Sequence, residues 1–355
     1  MGIFKKNKKL QRDSQTNFIN NKVTENTDSH PKDSLKNTDD VMEINNTNKK
    51  NLNTDDNFIS DQLENIDLKD QETDDVKDNE KYNYNIIKPY SEKFPVNHTI
   101  GITQIIAIIN QKGGVGKTTT ALNLSAALGE QNKEVLLVDL DPQGNATSGL
   151  GIEKNEVEFC VYDALLNDIP LEKVIIPDVF KGLDLVPATI NLAGAEVELV
   201  TAIARENRLK DALGKFRGKY DYIIIDCPPS LGLLTINSFV AADSLIIPIQ
   251  TEFYALEGVT KLLESMKLVK SRLNPSLDIY GVLLTMFDAR TTLAKQVANE
   301  VRNYFGDKVF DTEIPRTVRL SEAPSFGQPI TLYEPDGKGA RAYIKLAKEV
   351  INNGK

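Results

Sequence analysis

Residues 102–119 read ITQIIAIINQKGGVGKTT, and the order of residue types in that stretch decides the fold. Ile102 to Asn110 is a short, apolar, β-branched run, which suits a strand buried on both faces of a parallel sheet. The turn that follows holds Gly113, Gly114 and Gly116, which let backbone N–H groups curl inward around an anion. From Thr118 to Glu130, Ala121, Leu124, Ala127 and Leu128 recur at helical spacing. Strand, glycine turn and helix start together make a phosphate cradle, because the helix adds its positive end. Lys117 is placed to reach the β- and γ-phosphates, and the Thr118 hydroxyl to ligate Mg2+.

The loop departs from the usual pattern in one place. Gln111 stands five residues before Gly116, where glycine is common, and a second lysine, Lys112, lies inside the loop. A lysine there is poorly placed for its own nucleotide's γ-phosphate. It suits a nucleotide held by a facing subunit, doing the charge-neutralising work of an arginine finger.

Outward from the loop, buried-strand runs recur at Glu134–Asp141, Tyr220–Asp226, Ser244–Gln250 and Ile279–Thr285. Helical patterns separate them at Val197–Leu213, Leu256–Leu273, Leu293–Tyr304 and Ala340–Asn352. Such alternation predicts an α/β fold: a single P-loop NTPase domain over 101–355, with a mostly parallel sheet and helices on both faces. Ligands of such sheets sit at the carboxyl ends of the strands. Two strands end there in carboxylates. Asp139 and Asp141 close the first in VDLDPQGN, and Asp226 closes YIIID before Cys227. Apolar residues leading to a carboxylate form the Walker B pattern, and such an Asp holds Mg2+, usually through a water. Of the Asp139/Asp141 pair, one is expected to brace the loop. The other, Asp141, is the candidate for orienting the attacking water. Cys227 reads as a buried structural thiol.

The first hundred residues differ in kind. They contain 17 Asn and one Gly, whereas 20 of the 21 Gly lie beyond them. Apolar residues there occur singly, so residues 1–100 read as a disordered, low-complexity tail unable to offset its chain entropy. Lys5, Lys6, Lys8, Lys9 and Arg12 make its tip basic, and Tyr82 to Val96 is a denser apolar patch. Both His, His30 and His98, fall in this part, which excludes His-based catalysis and His-ligated zinc from residues 101–355. Two cysteines make no disulfide framework. No apolar run is long enough to cross a membrane. A net charge of −9 means that any nucleic-acid contact comes from a local basic patch.

The run IIAIINQKGGVGKTTTALNLSAALGEQNKEVLLVDLDPQGNATSGLGI resembles the ParA/Soj family of partition ATPases, with their deviant Walker A motif. The likeness continues through NLAGAEVELV, YDYIIIDCPPSLGLLTINS, EFYALEGV, GVLLTMFDAR and IPRTVRLSEAPSFGQPI, covering about residues 101–353. The resemblance implies a cytoplasmic, nucleoid-associated protein that forms an ATP-sandwich homodimer with ATP and Mg2+. The dimer binds double-stranded DNA non-specifically, and a ParB-type centromere-binding partner releases it by stimulating hydrolysis. By resemblance, Lys112 acts in trans and Lys117 is the phosphate lysine. The cradle is Gly113, Gly114, Val115, Gly116, Thr118 and Thr119, with Asp139 beside it. Thr118 and Asp226 serve the metal, Asp141 serves hydrolysis, and Pro315 to Thr317 contact adenine, although many relatives have Asn where Thr317 stands. Arg290 and Arg319 match DNA-binding arginines, and Lys267, Lys270 and Arg272 are candidates to widen that patch. Two alternatives have other outcomes: a MinD-type membrane-positioning ATPase, or a nucleotide-gated scaffold. The first carries an added C-terminal amphipathic helix, for which INNGK leaves no room. Intact Lys117, Asp141 and Asp226 weigh against an inactive scaffold.

Overall fold

The structure, a computed structural model, describes Lys93, residues 101–253 and residues 255–353. The extension read as disordered lies outside the described residues, Lys93 excepted. Eight strands form one sheet: β1 Gln104–Ile108, β2 Val135–Asp139, β3 Ile176–Phe180, β4 Leu183–Val186, β5 Tyr222–Asp226, β6 Ser244–Gln250, β7 Asp278–Phe287 and β8 Val309–Pro315. Their order across the sheet is β3-β4-β2-β5-β1-β6-β7-β8. All neighbours are parallel except β3 and β4, which pair antiparallel at one edge.

Successive strand residues point to opposite faces, and the sheet sorts its apolar residues accordingly. Ile105, Ala107, Leu136, Val138, Ile223 and Ile225 enter the core beneath the helices Leu209, Leu234 and Val259 belong to. Ile106, Ile108, Val135, Leu137 and Ile224 enter the opposite core, against Leu124 and Leu128 of the helix Lys117–Glu130 and Tyr343 and Leu346 of the helix Lys338–Asn353. Continuous apolar runs are therefore required in the central strands, because both sides are covered. Close packing reaches the helix end: a Cβ added to Gly129 would lie 2.1 Å from the Lys181 carbonyl oxygen.

Three elements depart from the expected pattern. The helix expected over Val197–Leu213 is two shorter ones, Leu192–Glu198 and Arg208–Gly214, joined through a 3-10 turn, Leu199–Thr201. Ala202 turns extended and Ala204 takes a left-handed φ of 52°. Val197 and Ile203 consequently face solvent and supply no apolar stripe. β8 was not anticipated, although VFDTEIP alternates as an edge strand does. The β3–β4 pair was also not anticipated, since Pro177 breaks the apolar run and confines β3 to an edge. Among the described residues, no helix is long and apolar enough to cross a membrane.

Candidate active site

The glycine loop leaves the carboxyl end of β1, and its backbone is held from both sides. Asn110 donates its side-chain amide to the Pro248 carbonyl at 2.7 Å and accepts the Lys112 N–H at 3.0 Å. The Thr285 hydroxyl donates to the Val115 carbonyl at 2.8 Å. Gly114 and Gly116 have φ of 72° and 88°, left-handed values that a side chain there would strain. This is a rigid cradle rather than a chance turn.

Lys117 begins the following helix and is buried; its Nζ donates to the Lys112 carbonyl at 3.3 Å. Burial lowers its pKa, and the charges of Asp226 and Asp141 oppose that without overcoming it. Asp139 and Asp226 are side by side at the ends of neighbouring strands, and Asp226 also pairs with Ile108 just before the loop. Their environments differ. Asp139 accepts the Thr147 N–H at 2.8 Å, the Thr147 hydroxyl at 2.7 Å and the Asp141 N–H at 3.3 Å. Thr147 Oγ1 accepts in turn from the Ala188 N–H at 2.9 Å, tying the ends of β2 and β4 together. Burial nonetheless raises the Asp139 pKa to about 6, and the Asp141 charge adds to that. Asp226 is fully buried, and neither of its oxygens makes a hydrogen bond of ordinary geometry, although the Thr118 hydroxyl lies close enough to act on its charge. Burial, then the Asp139 charge, pushes its pKa well above the carboxylate range, with Thr118 and Lys117 pulling the other way.

A buried carboxylate without well-formed hydrogen bonds, beside a buried ammonium that burial disfavours, is costly on its own. A cation bound to phosphates removes the cost on both groups. That donor set fits Mg2+, which takes one or two protein ligands and completes its shell with phosphate and water. Among the described residues, no group of three or more His, Cys, Asp or Glu could hold a metal alone. Asp141 accepts the Gln143 N–H at 2.9 Å and lies near enough to Lys117 for its charge to act there. Cys227 is a free buried thiol, and burial pushes it up to about 12.

Pro315 and Thr317 share a cleft of about 380 Å3 with Gly116 and Thr119, so the segment matched to adenine adjoins the loop. Lys112 is half-exposed and lies 4.0 Å from Glu252; Arg316 approaches the same carboxylate at 4.0 Å. Arg290 is almost fully exposed and chelates Asp288 through two bonds, 2.9 and 2.7 Å long. It lines a cleft with Arg316, Lys338, Arg341 and Lys345. Sequence reading placed Arg316 only within the adenine segment and missed the other three. Lys338, Arg341 and Lys345 repeat at i, i+3 and i+7 on one helix, which was the available signal. Arg319 turns elsewhere, to Glu322 at 2.9 Å and Glu334 at 3.6 Å. Lys270 does not join the patch. It pairs with Asp278 at the start of β7, about 30 Å from the end that precedes Arg290 at the usual rise per strand residue.

Comparison with known proteins agrees with this geometry. Residues 103–279 match a family model described as an AAA domain. The chain is 62% identical over 251 residues to the sporulation initiation inhibitor protein Soj of Bacillus subtilis, covering 71% of this chain and 99% of that protein. It is 55% identical over 253 residues to the chromosome partitioning protein ParA of Myxococcus xanthus, covering 71% and 89%. Among solved structures, a cobyrinic acid a,c-diamide synthase from Mycobacterium smegmatis, with bound ATP analogue and magnesium, superposes with a TM-score of 0.64 at 40% identity, covering 71% and 96%. A glycine cradle, two buried strand-end carboxylates and relatives of this identity lead to one conclusion: the chain belongs to the ParA/Soj family of partition ATPases.

Proposed function

We propose that the protein uses ATP and Mg2+ to form a sandwich dimer, that the dimer holds duplex DNA without sequence preference, and that a ParB-type partner releases it by stimulating hydrolysis. The buried Asp226 carboxylate beside buried Lys117 carries this reading, because a nucleotide–metal complex satisfies both groups at once. Gly113, Gly114, Val115, Gly116 and Thr119 hold the phosphates through their backbone. Thr118 and Asp226 would hold Mg2+, which would supply positive charge to the phosphate oxygens. Lys117 neutralises the same oxygens. Asp141 orients the attacking water through a carboxylate oxygen, and Asp139 braces the turn that presents it. Pro315 and Thr317 flank adenine. Lys112 crosses to the nucleotide of the facing subunit.

DNA binding falls to Arg290 with its cleft neighbours Arg316, Lys338, Arg341 and Lys345, and to Arg319, which lies outside that cleft. A phosphate must compete with Asp288 for Arg290, and with Glu322 and Glu334 for Arg319. One protomer therefore binds weakly, and pairing two patches raises affinity and salt sensitivity together. Contacts of this kind position the duplex and do not read its sequence. The reading places the protein in the cytoplasm, at the nucleoid.

The test is a mobility-shift titration with ATP at several salt concentrations. Arg290→Glu is expected to lose DNA binding while keeping ATP-driven dimerisation. Parent-like affinity in this variant removes the patch, and a parent that binds no duplex with ATP removes the partition mechanism. Asp141→Ala is expected to bind ATP normally and hydrolyse it about 100-fold more slowly or worse, leaving the DNA-bound dimer trapped. Hydrolysis at the parent rate would assign the water to another residue.

A further inference from the structure

The end of the sheet opposite the phosphate loop holds a second lysine–carboxylate cluster, and its lysine comes from the N-terminal extension. Lys93 Nζ donates to Asp184 Oδ1 at 2.6 Å and to Asp178 Oδ1 at 2.9 Å, with Glu134 Oε2 3.5 Å away. Asp184 lies in β4 and its side chain is fully buried, while that of Lys93 is 13% exposed. The remaining Asp184 contacts come from the core: the Asp178 N–H donates to Oδ1 at 2.8 Å, and the Tyr220 hydroxyl to Oδ2 at 2.7 Å. Asp178 is held at a left-handed φ of 54°, which turns both its amide and its carboxylate toward the site.

The position of this socket follows from the strand register. Glu134 immediately precedes Val135, which pairs with Leu183 on one side and Tyr222 on the other, at the amino ends of the strands. The phosphate loop leaves the other end, about 16 Å away over a five-residue strand. The Soj relative is matched over 99% of its length by 71% of this chain, so it has no room for a counterpart of the hundred-residue extension. The cation that neutralises Asp184 is thus supplied by the part of the chain this relative lacks.

We propose that the acidic socket of Asp184, Asp178 and Glu134 is the docking point of the N-terminal extension, and that Lys93 clasps the extension to the ATPase core at the end of the sheet remote from the nucleotide. A carboxylate as deeply buried as Asp184 needs a full positive charge, and two neutral donors do not replace it. Anything the preceding residues bind is then tethered to the face away from the phosphate cradle, where it does not obstruct pairing of the two nucleotide faces.

A double-mutant cycle on the full chain, read by thermal unfolding without nucleotide, tests the clasp. Lys93→Met is expected to lower Tm by roughly 4–10 °C, the shift that loss of a buried charge pair produces in a domain of this size. In the Asp184→Asn background the same change is expected to move Tm by about 1 °C or less, because no buried charge is left to abandon. Equal losses in the two backgrounds, or no loss in either, overturn the proposal. A second reading does not depend on the variants folding. In the parent, trypsin is expected to cut after Lys81 at least 10-fold faster than after Lys93, whose ammonium is engaged, and mass spectrometry of the fragments follows both. Equal cutting rates at the two sites also overturn it. Hydrolysis of ATP by Lys93→Met is expected to match the parent, since Asp184, Asp178 and Glu134 lie at the end of the sheet remote from the cradle.

Discussion

Lys117 and Lys93 are both largely buried and both face carboxylates, at opposite ends of one sheet, yet their surroundings move them in opposite directions. At Lys117 burial prevails and the pKa is lowered, while Asp226 beside it makes no hydrogen bond of ordinary geometry and has a raised pKa. At Lys93 burial also acts against the charge, but Asp184 and Asp178 outweigh it and the pKa is raised. The Asp184 carboxylate there is satisfied on both oxygens. The same residue types serve two purposes. A buried carboxylate with a donor on each oxygen stabilises the fold, whereas one without them stores cost that a ligand removes.

The sharpest way to break that comparison is to make one substitution at both ends. Asp226→Asn is expected to reduce ATP hydrolysis by about 100-fold or more, since the charge proposed to hold the metal has gone. Without nucleotide at pH 8, however, its Tm is expected to equal or exceed the parent's, because a buried carboxylate without well-formed hydrogen bonds no longer has to ionise. Asp184→Asn is expected to do the reverse, keeping hydrolysis and lowering Tm by several degrees. Calorimetry and a phosphate-release assay on both variants decide it. Tm changes of the same sign would show that the two ends are not built differently.

The two ends also differed in how legible they were. The phosphate end was readable because a cradle needs particular residues at fixed spacing: Gly114 and Gly116 for left-handed backbone, Lys117 and Thr118 behind them, Asp226 after an apolar run. The socket was not, because Asp184 and Asp178 are ordinary acids in a sequence. Only the antiparallel β3–β4 turn, itself hidden by Pro177, brings them to one point. The parallel core was readable from its continuous apolar runs, but the broken helix after Leu192 was not, since its apolar residues mimic a stripe that the backbone turns outward. Arg290 was singled out from a motif and its cleft neighbours Lys338, Arg341 and Lys345 were not, because a cleft between β8 and the last helix has no contiguous motif.

A smaller effect tests the electrostatics of the open end through pH. Asp139 has a folded pKa of about 6 against an ordinary value of 3.8. Between those values the folded state binds more protons than the unfolded one, so this group's contribution to stability falls as pH rises through the window and levels off above it. Asp139→Asn mimics the protonated form at every pH. Its Tm relative to the parent, without nucleotide, is therefore expected to climb between about pH 4 and pH 7 and then stay flat. A difference that is constant across the range would mean that the Thr147 bonds fully offset the burial of the charge.

The smallest expected effect concerns Lys112, the third lysine of the comparison, which is neither buried nor strongly paired. Its side chain is 36% exposed and its contact with Glu252 is 4.0 Å long, a carboxylate it shares with Arg316 at the same distance. Exposed pairs of this kind contribute about 0–1 kcal/mol. What Lys112 gives its own subunit is its backbone: the carbonyl accepts from Lys117 Nζ, and the N–H reaches Asn110. Alanine keeps both groups. Lys112→Ala is thus expected to leave Tm within about 1 °C of the parent and nucleotide affinity essentially unchanged, while weakening ATP-driven dimerisation. Sedimentation velocity with ATP measures the last effect, and calorimetry the first. A variant that dimerises like the parent would leave Lys112 as a loop residue held near Glu252, with no reach into a facing subunit. A variant that loses nucleotide binding outright would place its ammonium in its own cradle, alongside Lys117.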